Sequence, residues 1–149
     1  MAKGKARSGK TAIFGIILLI GAGIWVLTRF FSFGSSAVSG KNDKERTAFI
    51  ESFGWVSANV PEKIEDIRIP VEFDEAYEQY NDLQREQGFD LRKYRAHIAK
   101  KYTYPITNFE GAETGVPICA NLIVIDGIIV GADISSAKAD GFVTVLAKE

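Results

Sequence analysis

Three groups of residues in this chain of 149 carry side chains capable of chemistry. The first is Cys119, His97 and Asn121, whose types match a thiol nucleophile, a base and an orienting amide. Their settings argue against that use. Cys119 lies inside an apolar run, away from any helix N-terminus that would lower its pKa, and reads as a small core hydrophobe. His97 falls in a loop beside Arg95, Lys100 and Lys101, where plain exposure is expected. A single histidine and a single cysteine also leave no basis for common zinc or haem ligation, or for an intramolecular disulfide. No metal and no cofactor are expected.

The second group is acidic: Asp74, Glu75, Glu78, Asp82 and Glu86. At 100° per residue they share the outer face of one helix, without the glycine and looping backbone of a calcium site, so a solvated face is expected. The third group lies on or beside the inner face of the same helix. Phe73, Ala76, Tyr77, Tyr80, Leu83, Gln84 and Gln87 form a stripe that is aromatic and amide rather than aliphatic. Tyr77, Tyr80, Asn81, Gln84 and Gln87, with Asn121, are therefore the candidate ligand-binding residues. A cleft for a peptide or glycan would use aromatic faces for stacking and amides for hydrogen bonds. The plainer reading, which the sequence favours, packs the tyrosines on a sheet and satisfies the amides within the fold. Both readings expect Asn121 beside Gln84 or Gln87, since an unpartnered buried amide costs about 1–3 kcal/mol.

These residues need elements to hold them. Asn42 or Asp43 caps a short helix through about Phe53, stopped by Gly54. Lys63 to Ile69 is a short strand, and the main helix runs from Asp74 to Gln87, stopped by Gly88. Leu91 and Tyr94 belong to one extra turn. Tyr102, Tyr104 and Ile106 then alternate with polar residues, and Pro105 suggests an edge strand because it has no N–H to give a ladder. Ile118–Ile125 and Ile128–Ile134 flank Asp126-Gly127, a type I′ hairpin signature. Regular pairing outward from that turn sets Ile123 opposite Val130, Asn121 opposite Ala132 and Cys119 opposite Ile134, with Asp133 on the other face. Phe142–Leu146 is a last strand. The fold class expected is α+β: an antiparallel sheet of four or five strands with two helices on one face, preceded by one transmembrane helix.

That transmembrane helix rests on charge and hydropathy. Residues 1–40 contain five of the 18 basic residues and none of the 19 acidic ones, leaving 13 against 19 beyond them, a net of -6. From Ala12 to Thr28 there are 17 residues without a charge, and Phe30, Phe31 and Phe33 extend the apolar stretch past Arg29. Lysines precede it, so the positive-inside rule expects residues 1–11 as a cytoplasmic tail and 12–33 as a single span of a bacterial plasma membrane. A linker, 34–41, and an extracytoplasmic domain, 42–149, follow. The rival is a cleaved signal peptide, with Ser35-Ser36-Ala37 at its end; the long apolar run and its aromatic cluster favour retention. An acidic domain offers no phosphate-neutralising surface, so no nucleic-acid partner is expected. The mild basic cluster Arg92, Lys93, Arg95, Lys100 and Lys101 reads as ordinary mixed surface.

The stretch from Glu72 to Leu91 resembles an uncharacterised bacterial family, the domain of unknown function numbered 4830. Tyr102-Thr103-Tyr104, Asn108-Phe109, Ala120-Asn121-Leu122 and Asp140-Gly141-Phe142 extend the resemblance over most of residues 45–142. The chain departs from the family near Ala96, where the family carries a glycine, and after Phe142. The resemblance implies a small exported or membrane-tethered protein and brings no activity with it. The expected function is a membrane-anchored binding or accessory module, non-catalytic, that meets an envelope protein, peptide or glycan. The alternative is an envelope hydrolase using Cys119 and His97 or the surface carboxylates.

Overall fold

The computed structural model describes residues 37–112, 115–138 and 140–148. The expected tail, 1–11, and span, 12–33, lie outside them, as does the first part of the linker. Among the described residues no helix is long and apolar enough to cross a membrane.

The elements run β1 (Val38–Ser39), α1 (Asp43–Glu51), β2 (Lys63–Arg68) and α2 (Glu75–Glu86), then a 3-10 turn (Leu91–Tyr94). The strands β3 (Ile98–Ile106), β4 (Ile118–Ile125), β5 (Ile128–Ser136) and β6 (Val143–Thr144) complete the domain. The first helix starts behind one of its two expected caps, Asn42, and the second starts one residue after the expected Asp74, which serves as its cap. Asn42 Oδ1 accepts from the Glu45 N–H at 3.0 Å, and Asp74 Oδ1 from the Tyr77 N–H at 2.8 Å. The hairpin turn is also as expected, with φ of 49° at Asp126 and 75° at Gly127.

The strands form one antiparallel sheet of six, in the order β1-β5-β4-β3-β2, with β6 also pairing with β5. This corrects four expectations. Among the described residues there are six strands where four or five were expected, because β1 forms within the Gly/Ser-rich stretch assigned to the linker. The strand at Tyr102–Ile106 is interior; β2 is the edge on that side. Pro105 is tolerated because β2 ends at Lys63, opposite Thr103, and the Pro105 carbonyl instead accepts from the Ala58 N–H at 3.2 Å. The last strand keeps only Val143 and Thr144 of the expected five residues.

The fourth correction is that the helices lie on opposite faces. Phe49 and Ile50 of α1 pack with Trp55, Tyr104, Leu122 and Ile134 in one apolar cluster. Phe73, Tyr77 and Tyr80, at and before α2, pack on a second cluster that includes Ile69, Leu91, Ile123 and Val130. Alternation along β4 explains the division. Its residues are buried on both sides, so each side needs its own cover. Arg46 pins α1 down: its Nε donates to the Tyr104 hydroxyl at 2.7 Å and its Nη1 to the Gly40 carbonyl at 2.7 Å. Its guanidinium lies 3.8 Å from the Tyr102 ring centre. Hydrogen bonds from Arg46 and Tyr104 hold the Asp43 carboxyl below its usual range, and burial pushes the Tyr104 hydroxyl up to about 12.

The register of the hairpin departs from regular counting at one point. Val124 faces Ile129, but Ile123 faces Gly131, so Val130 is an extra residue in a β-bulge. Beyond it Asn121 faces Asp133 and Cys119 faces Ser135, not Ala132 and Ile134. The bulge reverses parity. Ala132 and Ile134 join the α1 cluster, while Asp133 comes to the side of Asn121 and α2.

Candidate functional site

The six candidate residues do not make one site. Asn81 bridges α2 and the 3-10 turn: its Oδ1 accepts from the Leu91 N–H at 2.8 Å and its Nδ2 donates to Asp90 Oδ1 at 3.2 Å. Gln84 and Gln87 complete the sheet. The outer edge of β5 pairs with β1 at Ile128 and Ile129 and with β6 at Ile134 and Ser135. Between these, the backbone of Ala132 is satisfied by side chains. Gln84 Oε1 accepts from the Ala132 N–H at 2.8 Å, and its Nε2 donates to the Ala132 carbonyl at 2.9 Å. Gln87 donates to the same carbonyl at 2.8 Å and accepts from the Leu146 N–H at 2.8 Å. A carboxamide carries the donor and acceptor of a peptide group, so these two glutamines stand in for a strand.

Tyr80 and Asn121 meet at Asp133, a residue absent from the sequence-based site. The Tyr80 hydroxyl donates to Asp133 Oδ2 at 2.7 Å, and Asn121 Nδ2 donates to Oδ1 at 2.7 Å. Asn121 also donates to Ser135 Oγ at 2.8 Å and accepts from Thr103 Oγ1 at 2.9 Å. Asn121 is thus satisfied by Asp133, Ser135 and Thr103, which corrects the expected contact with Gln84 or Gln87. Burial raises the Asp133 carboxyl above its ordinary pKa, against hydrogen bonds from Tyr80 and Asn121 that lower it. Burial, then the nearby Asp133 charge, pushes the Tyr80 hydroxyl well above its ordinary value. Asp133 is only 3 % exposed and both its oxygens are engaged, so the cluster presents no open position to a reacting atom. Tyr77 is half-buried, its ring 4.5 Å from Phe73 and 5.9 Å from Tyr80.

The other two candidate groups are not assembled either. His97 immediately precedes β3, and Cys119 faces Pro105 near the strand's far end. Eight residues of strand at about 3.3 Å each separate those levels by roughly 26 Å. Burial raises the Cys119 thiol pKa, the reverse of activation. Of the α2 carboxylates, Glu78 pairs with Arg92 and Asp82 with Arg85 at 3.5 Å, as residues of a solvated face do.

A cleft lies elsewhere, among three segments that follow turns. Its volume is about 610 Å³. Trp55 comes after the stop of α1, Phe109 after β3, and Phe142 before β6. Trp55 and Phe109 stack with ring centres 5.7 Å apart and planes at 13°; Phe109 and Phe142 do so at 5.1 Å and 22°. Trp55 is anchored by its indole N–H, which donates to the Leu146 carbonyl at 2.6 Å. Asn108 fixes the loop: its Oδ1 accepts from the Val56 N–H at 2.8 Å and its Nδ2 donates to the Gly54 carbonyl at 2.9 Å. Glu110, Lys148 and the segment Thr144, Val145 and Ala147 also line it, and the Lys148 ammonium sits 4.4 Å from the Trp55 ring centre. Sequence reading missed this cleft because its three rings follow no common period. The available signal was a large ring directly after a turn residue, in Gly54-Trp55, Asn108-Phe109 and Gly141-Phe142.

Among known families, the one described as Domain of unknown function (DUF4830) matches residues 49–134. No curated protein and no solved structure matches the chain.

Proposed function

For a chain that belongs to the DUF4830 family, which brings no assigned activity, we propose a membrane-anchored extracytoplasmic binding module. Residues 12–33 hold it in a bacterial plasma membrane, residue 1 is cytoplasmic, and the domain outside binds an envelope protein, peptide or glycan without catalysis. The observation that carries the binding role is the aromatic cleft of Trp55, Phe109 and Phe142. It is the concave, largely apolar kind of surface that ligand sites share, and the fold does not fill it. The placement is supported by the uncharged run after a lysine-rich start.

Protease added to intact cells tests the placement, with one epitope before residue 1 and another after residue 149. The outer epitope is expected to be lost and the inner one retained on a membrane-sized fragment. Survival of both epitopes until the cells are lysed overturns the reading.

A further inference from the structure

The chemistry of the cleft narrows its ligand. The three rings form an offset staircase, with planes at 13° and 22° between successive members and overlap at their edges, and the Trp55 ring at its inner end is only 7 % exposed, with Lys148 over it. What remains open is the ring edges and Phe142, which is 39 % exposed beside Val143 at 50 %. A flat side chain can extend such a stack. A sugar ring, which needs a broad uncovered face, finds less. One wall of the cleft is the final segment, including Thr144 and Val145. β6 pairs with β5 on one side only among the described residues, and ladder alternation turns the backbone groups of Val143 away from β5.

The charges point the same way. Lys148 has the Trp55 ring as its partner, and no carboxylate pairs with it among the described residues. It offers a cation at the mouth of an apolar cleft. Glu110 in the same lining disfavours a polyanion, whose repeated charges would meet it.

We propose that this cleft binds an extended peptide, seating an aromatic side chain against Phe142 and setting a carboxylate on Lys148. The strand edge at β6 supplies backbone pairing, the stack supplies side-chain specificity, and Lys148 reads the charge. This rests on the binding role proposed above and names its ligand class.

The test uses the full chain in lipid nanodiscs, in a Trp25→Phe background so that Trp55 is the fluorescent reporter. The probes are an N-acetylated hexapeptide of alternating threonine and phenylalanine with a free carboxyl end, its carboxamide form, and chitotriose; empty discs correct for partitioning. The acid peptide is expected to give a saturable change and to bind at least about fivefold more tightly than the carboxamide. Lys148→Met, which keeps the stem over Trp55, is expected to abolish that difference. Phe142→Ala is expected to weaken the acid peptide about tenfold or more, with Phe142→Leu as the second variant if the first unfolds. No saturable peptide response, saturation by chitotriose alone, or indifference to both the Phe142 and Lys148 substitutions overturns the proposal. Protease sidedness is read independently, so failure of the peptide to bind leaves the placement standing or falling on its own result.

Discussion

The face beneath α2 and the cleft at Trp55 differ in the way that separates structural polarity from available surface. Under α2 the residues are the ones that chemistry uses: Tyr80, Asn121, Asp133, Gln84 and Gln87. They are buried or nearly so, and their polar atoms bond one another or the backbone of Ala132 and Leu146. At the cleft the residues are ordinary aromatics of graded exposure: Trp55 is buried in the α1 cluster, Phe109 packs against it, and Phe142 is left open to solvent. Polar side chains in a sheet–helix interface are retained when they complete hydrogen bonds that the backbone lacks. An incomplete apolar surface has no such internal use, and is the better guide to a partner.

The sharpest way to break this contrast is at Gln84. Gln84→Ala strips the Ala132 N–H of its partner and leaves a void, so unfolding by urea should show a loss of about 3 kcal/mol. A loss below about 1 kcal/mol would mean that water replaces the amide and that the face is less closed than its geometry implies.

Gly131 provides the next effect. A Cβ there would lie 3.2 Å from Gln84 Oε1 and 3.3 Å from both Ile123 Cδ1 and Leu91 Cδ2. Gly131→Ala is therefore expected to cost about 1–2 kcal/mol. In the Gln84→Ala background one of the three obstacles is gone, so the same substitution should cost less. Strict additivity in that double-mutant cycle would show that Gln84 does not crowd the bulge.

Asp133 gives a pH-dependent effect. Its carboxyl is raised in the folded chain, so between its ordinary and its raised pKa the folded state holds a proton that the unfolded state has released. The stability this contributes is fully present below the ordinary carboxylate range and is lost as pH rises through the folded value. Unfolding free energies of the wild type and Asp133→Asn, compared from about pH 3 to about pH 8, should show that loss in the wild type alone. A parallel pair of curves would remove the titration from Asp133.

The smallest expected effect lies at the cleft. Phe142 is 39 % exposed and among the described residues stacks on Phe109 alone, so Phe142→Ala should shift stability by about 1 kcal/mol while impairing peptide binding. A thermal unfolding shift as large as that of Gln84→Ala would make Phe142 a core residue and dissolve the distinction.

Local signals in the sequence were readable where local chemistry decides the outcome. Asn42 announced a helix start because its side chain caps a neighbouring N–H group. Asp126-Gly127 announced the hairpin because a type I′ turn needs positive φ at both positions. The glycine that the family resemblance implies near Ala96 has a matching cause: Ala96 itself has φ of 65°, a region glycine enters without a Cβ penalty. The bulge at Val130 left no such mark. Both neighbouring registers bury apolar side chains on each face of β4 and β5, so hydrophobic alternation could not choose between them. That one residue moved Asp133 to Tyr80 and took Asn121 away from the glutamines.

The sequence by itself determined where the two helices begin, the hairpin turn, the family, and the chemical character of each stripe. These follow from contacts between residues a few positions apart, or from residue types alone. Only the tertiary structure decided which faces the helices cover, how Gln84 and Gln87 serve Ala132, and that Trp55, Phe109 and Phe142 converge. Those outcomes depend on strand order and on a single inserted residue, which set distances between parts of the chain that share no local period.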